Sequence, residues 1–138
     1  MQRKGSAIWQ GDLKTGKGTV STDSGVLSQT QYSFSTRFES GKGTNPEELI
    51  AAAHAGCFAM QLSHFLAENG TPAAELKATA AVKLIPGTGI TESNITLVGN
   101  VPGIDDAKFQ ELAIKAKENC PVSKALGAIK VGLDAKLA

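Results

Sequence analysis

The sequence predicts an α+β domain, and three observations carry that reading. Short segments of alternating or β-branched composition, separated by Gly, Asp and Pro turn signals, precede and follow one long helical stretch. That stretch, Pro46 to Glu68, opens with helix-start chemistry and is then almost wholly apolar. A second, amphipathic helical pattern begins near Asp105. Strands, helix, strands, helix, strand is an α+β order, and a length of 138 residues suits a single domain, 1–138.

Ser6 to Gln10 and Gly16 to Thr22 have strand composition and are separated by Gly–Asp and Gly–Lys turn signals. Gln31 to Phe38 then alternates. Tyr32, Phe34, Thr36 and Phe38 share one face and Arg37 projects from the other, which predicts the third strand of a meander. After the Ser40–Gly43 connector, Asn45 is the expected N-cap of the long helix, with Pro46 at its first position and Glu48 at its third. Asn69-Gly70 and then Pro72 end it. Its middle is apolar nearly all the way round, so a central position is expected. Leu76 to Leu84 reads as a strand with Lys77 and Lys83 outward and Ala78, Ala80, Val82 and Leu84 inward. The turn Pro86–Gly89 leads to a second strand, Ile90 to Val101, antiparallel to it. The amphipathic helix from Asp105-Asp106 to Asn119 carries Phe109, Leu112, Ala113 and Ala116 as its apolar stripe. A short helix from Pro121 to Gly127 and a closing strand from Ile129 to Leu137 complete the chain.

Composition limits the function. A net charge of +1 with both signs dispersed, and only Arg3 and Arg37 as arginines, leaves no basic stripe, so nucleic acid is not the expected partner. No apolar signal core follows Met1–Ser6, and the longest apolar run, Leu49 to Met60, is short for a bilayer and interrupted by His54. A soluble, cytoplasmic protein without a membrane partner is expected. In a reducing compartment two cysteines, Cys57 and Cys120, point to catalysis, redox chemistry or metal binding more than to a structural bridge.

Cys57 lies in the middle of the long helix, where an inert packed thiol is the plain alternative to a reactive one. Burial there raises a thiol's pKa, and the helix N-terminus is too distant to oppose this, so a nucleophilic Cys57 needs a cation from elsewhere. Arg37 is the candidate, against the alternative of an ordinary exposed strand arginine. Cys120 sits where one helix ends and the next begins. As a cap its sulfur would face unpaired backbone N–H groups, which favour thiolate, or it would simply cap. Glu47, in the first turn, also suits the helix dipole alone. Ten residues separate Glu47 from Cys57, about 15 Å of rise on an unbroken helix. A site that uses both therefore needs two subunits or a broken helix. His54 and His64 share the thiol's own helix and match no zinc-ligand spacing with the cysteines, so packing or interface roles are expected.

Taken together, Thr44-Asn45-Pro46-Glu47-Glu48-Leu49, the Ala-rich helix to Ala55-Gly56-Cys57-Phe58, and Cys120-Pro121-Val122-Ser123 resemble the OsmC/Ohr family of organic hydroperoxide reductases. Trp9-Gln10-Gly11-Asp12, Gly16–Ser21 and Thr36-Arg37-Phe38-Glu39 are similar to the OsmC (osmotically inducible protein C) branch. The sister Ohr branch carries its arginine earlier, where this chain has none between Lys4 and Thr36. The resemblance covers essentially the whole chain and implies antiparallel sheets wrapped around long central helices in an intertwined homodimer.

It further implies a thiol peroxidase that uses no metal or other cofactor. Cys57 would be the peroxidatic and Cys120 the resolving cysteine, with Arg37 and Glu47 activating and orienting the thiolate. Organic hydroperoxides are the implied substrates, favoured by apolar walls from Phe58 and Met60. Dihydrolipoyl groups of a lipoylated protein are the implied dithiol reductant. Two rivals remain: a non-enzymatic stress protein holding a lipid-like ligand in an apolar dimer groove, and a Cys–His hydrolase needing no Cys120.

Overall fold

The computed structural model describes residues 1–138. Its packing divides into two units, Met1–Leu49 and Ile50–Ala138.

In the first unit β1 (Gly5–Gln10), β2 (Lys17–Thr22) and β3 (Thr30–Tyr32) form an antiparallel sheet in that order. Gly18 on β2 lies opposite both Trp9 and Tyr32, whose ring centroids are 5.4 Å apart. A Cβ at this position would collide with both rings, so the aromatic pair needs the glycine beneath it.

The third strand is shorter than its alternation predicts. After Tyr32 the chain turns into α1 (Phe34–Phe38). Ser33 is extended at φ −159° and caps this helix: its Oγ accepts the Thr36 N–H at 3.4 Å, and Thr36 Oγ1 accepts the Ser33 N–H at 2.8 Å. This reciprocal capping box satisfies backbone groups that a continued strand would have to pair with a neighbour. Phe34 and Phe38, an i,i+4 pair, then stack with centroids 4.9 Å apart. Arg37 accordingly occupies the last turn of a helix, not the outer face of a strand.

Asn45 starts the long helix as expected. Its Oδ1 accepts the Glu48 N–H at 2.8 Å, while its Nδ2 donates to the Thr36 carbonyl at 3.0 Å and so ties the cap to α1. Helix α2 runs unbroken over Pro46–Glu68. It stops in a left-handed turn at Gly70 (φ +79°), where the Gly70 and Thr71 N–H groups bond to the Ala67 and Leu66 carbonyls. That pairing satisfies the last-turn acceptors, and the positive φ suits glycine.

In the second unit β4 (Glu75–Ile85) and β5 (Gly89–Asn100) form an antiparallel hairpin, and β6 (Lys130–Leu137) joins the far side of β5. The β5–β6 pairing is parallel, in contrast to the other sheet contacts. The connection contains α3 (Asp106–Asn119) and α4 (Pro121–Ala125), long enough to return the chain to the same end of the sheet. Asp105 caps α3 by accepting the Lys108 N–H at 2.8 Å, and the expected stripe of Phe109, Leu112, Ala113 and Ala116 is buried. It packs with Phe58, Leu62 and Leu66 of α2 and with Ile95 and Leu97 of β5 in one core.

By length and composition α2 could cross a membrane, but its Phe58–Leu62–Leu66 row is committed to this core. The helix is not enclosed on all sides within the chain: Ala52, Ala53, Gly56 and Met60 on its opposite face are exposed. Phe109, fully buried, is the largest α3 side chain in the core. Phe109→Ala is expected to cost about 3–5 kcal/mol through lost transfer energy and the cavity left behind, measurable as a lowered denaturation midpoint.

Candidate active site

The four residues of interest form two pairs, one in each unit. In the second unit Cys57, half-buried in the middle of α2, meets Cys120, which is fully buried at the junction of α3 and α4. Both are free thiols, and their sulfurs lie 2.8 Å apart in hydrogen-bonding contact. Sixty-three residues separate them in sequence, and the packing of α3 on the core closes that interval.

The cap expected of Cys120 is different in detail. Its side chain makes no capping hydrogen bond to α4. The nearby amide acts on the other cysteine instead: the Val122 backbone N–H is hydrogen-bonded to Cys57. Burial pushes the Cys57 thiol up from the ordinary range and the adjacent Cys120 adds to the rise, while the Val122 amide opposes it. Cys57 thus has one backbone donor that favours its thiolate, which sequence reasoning missed because Val122 lies far along the chain.

In the first unit Arg37 and Glu47 form a forked ion pair. Arg37 Nε donates to Glu47 Oε1 at 3.1 Å and to Oε2 at 3.4 Å, and Nη2 donates to Oε1 at 2.9 Å. Glu47 is nearly buried and Arg37 partly exposed, with its guanidinium 5.3 Å from the Phe38 ring centroid. These bonds use Nε and Nη2, leaving Nη1 for another acceptor. Arg37 also borders a cleft of about 260 Å³ walled by Trp9, Leu13, Tyr32, Phe34 and Phe38. The expected alternatives for Glu47 and Arg37, a simple dipole carboxylate and an isolated surface cation, do not describe this geometry, since each fixes the other.

Two expected wall residues separate. Phe58 is completely buried in the core and cannot line an open pocket, because its side chain belongs to the inward row of α2. Met60, one turn beyond Cys57, is largely exposed.

His54 is a packing residue, as expected, but a tightly specified one. It is fully buried, with Nδ1 2.7 Å from Ser93 Oγ on β5 and Nε2 2.8 Å from Ser123 Oγ on α4. Burial lowers its pKa. A neutral imidazole has one donor and one acceptor nitrogen, and hydroxyls can satisfy either. His64 is exposed near Glu68.

The family described as OsmC-like protein matches residues 39–134, well over half of the chain. The chain belongs to the OsmC-like family. It is 51% identical over 140 aligned residues to peroxiredoxin OsmC of Escherichia coli, covering 99% of this chain and 97% of that relative. It is 35% identical to organic hydroperoxide resistance protein OhrB of Bacillus subtilis, covering 86% and 89% of the two chains. The crystal structure of B. subtilis OhrB matches the fold with a TM-score of 0.67 at 30% identity, over 96% of this chain and 98% of that one. The resemblance carried by the short motifs of this OsmC-like chain therefore extends through its whole length, and its α+β architecture is the OsmC fold.

Proposed function

We propose that this OsmC-like chain is a thiol peroxidase that reduces organic hydroperoxides to alcohols in the cytoplasm. The observation that carries the reading is the 2.8 Å approach of two free thiols, Cys57 and Cys120, from opposite ends of the second unit. The named relatives, a peroxiredoxin and an organic hydroperoxide resistance protein, support the same chemistry.

The Cys57 thiolate attacks the distal oxygen of ROOH. The O–O bond breaks, RO⁻ takes a proton and leaves as ROH, and Cys57 becomes a sulfenic acid. Cys120 sulfur then attacks Cys57 sulfur. The S–O bond breaks and hydroxide leaves as water with the proton from Cys120, forming the disulfide. An external dithiol, such as a dihydrolipoyl group on a lipoylated protein, restores both thiols by exchange. Arg37 stabilises the thiolate and the developing charge on the leaving oxygen, and Glu47 holds the guanidinium in orientation.

The working unit in this reading is a homodimer. Glu47 and Cys57 stand ten residues apart on one continuous helix, about 15 Å along its axis. The Arg37–Glu47 pair of one chain therefore serves Cys57 of the other. The uncovered face of α2 supports the same assembly: it is apolar and built of small residues beside Met60, and space is open around Gly56.

Treatment with tert-butyl hydroperoxide, followed by thiol titration and intact-mass measurement, tests the activity. The expected product has lost both free thiols and carries one Cys57–Cys120 disulfide. Unchanged thiols after complete mixing with excess peroxide would favour a ligand-binding protein and sink the peroxidase reading.

A further inference from the structure

We propose that His54 is a positioning residue for the second chemical step, acting through Ser123 to keep Cys120 within reach of oxidised Cys57. The inference rests on the peroxidase reading for its substrate and on the buried His54 bridge for its geometry.

Two links join α2 to α4 and the capping residue just before it. Cys57 meets Cys120 at 2.8 Å, and His54 Nε2 meets Ser123 Oγ at 2.8 Å. His54 precedes Cys57 by three residues on α2, and Ser123 follows Cys120 by three on α4, so the bridge stands about one helical turn from the thiols. The thiol contact changes chemically in every catalytic cycle. The histidine–serine contact contains no redox-active atom and takes no part in that change.

Helix α4 needs such a tether. It has five residues, its first turn has no side-chain cap, and Pro121 at its start contributes no N–H. Ser123 is nevertheless buried. The second ring nitrogen of His54 is bonded to Ser93 at 2.7 Å on the central strand β5, so the imidazole is itself anchored. Ser93, His54 and Ser123 thus run as a chain of buried polar groups from sheet to long helix to short helix, and no buried polar side-chain atom is left unpartnered. Loosening α4 lowers the effective concentration of Cys120 at Cys57 and also weakens the support that the Val122 amide on the same helix gives the Cys57 thiolate, so disulfide closure is read separately from sulfenic acid formation. The affected step is Cys57–SOH plus Cys120–SH giving Cys57–S–S–Cys120 and water, and peroxide supplies the oxidising equivalents.

The decisive comparison uses Ser123→Ala and His54→Phe, with Ile95→Val as a control that perturbs the same core without touching α4. Two readouts are taken on the full-length protein. First, the Cys57–Cys120 disulfide is equilibrated with dithiothreitol. Ser123→Ala is expected to make the disulfide about tenfold less favoured, about 30 mV in a two-electron couple, while Ile95→Val leaves it unchanged. Second, after a pulse of tert-butyl hydroperoxide, dimedone trapping and mass measurement follow Cys57. Both network variants should close the disulfide about tenfold more slowly once the sulfenic acid has formed, with more Cys57 going on to sulfinic acid.

A wild-type disulfide equilibrium in Ser123→Ala overturns the positioning role, as does an equal shift in Ile95→Val. Because the equilibrium uses no peroxide, it reports on the bridge even when the peroxidase reading itself fails. If His54→Phe does not fold, Ser123→Ala alone decides the outcome.

Discussion

Cys57→Ser is expected to reduce organic hydroperoxide consumption to the uncatalysed background, whereas Cys120→Ser should still consume one equivalent. A serine hydroxyl at this site has neither the polarisable nucleophile nor the accessible anion of a thiol, and no general base contacts position 57 to compensate. In Cys120→Ser the first step is intact, but the sulfenic acid on Cys57 has lost its partner at 2.8 Å. Cys57 should therefore accumulate as a dimedone-trappable species and, under excess peroxide, as sulfinic acid. Stopped-flow peroxide consumption and peptide mass mapping separate the two variants. Full consumption by Cys57→Ser would remove Cys57 as nucleophile. Continued turnover by that variant, with Cys120→Ser inactive instead, would place the reactive thiol at Cys120.

Arg37→Ala is expected to lower the peroxide-reduction rate by about a hundredfold or more, the scale associated with losing a preorganised donor to developing negative charge. The pH dependence should shift with it. Burial already raises the Cys57 thiol, and under the proposed shared site the loss of the guanidinium raises it further and leaves less thiolate at neutral pH. The variant's rate should consequently climb about tenfold per pH unit below the new pKa, with its rise displaced to higher pH than in the wild type. Arg37→Lys should recover little, because an ammonium cannot reproduce the fork from Nε and Nη2 to Glu47.

Mixing inactive chains tests where Arg37 works. In a hybrid dimer of Arg37→Ala and Cys57→Ser chains, a site shared between subunits retains one wild-type Arg37 opposite one wild-type Cys57. Subunit exchange should thus restore activity to a mixture of two inactive proteins. A site made within one chain would leave the mixture inactive, and that result would overturn the shared-site proposal while leaving the nucleophile assignment standing.

The hydrogen bonds within α3 and α2 explain why these helices were legible from sequence. Asp105, Asn45, Pro46 and Gly70 act on backbone groups only a few residues away, so their effect is written locally. The segment after Tyr32 was harder because two local signals compete there. Its apolar alternation suggests strand, but the Ser33–Thr36 capping box closes a helix and carries Arg37 with it. Phe58 illustrates another limit: adjacency to Cys57 suggested a pocket wall, while helix geometry turns the two side chains in different directions and sends Phe58 into the core.

The sequence by itself determined the α+β order, the two main helices and the family motifs, and through those motifs it named Arg37, Glu47, Cys57 and Cys120 as the candidate site. These follow from local capping, periodicity and resemblance. Only the tertiary structure decided that Cys57 and Cys120 converge, that Val122 supplies an amide to Cys57, that Arg37 forks onto Glu47 from a helix, and that His54 bridges Ser93 and Ser123. Core packing brings residues from distant positions together, and a contact of that kind leaves no periodic signature in the chain.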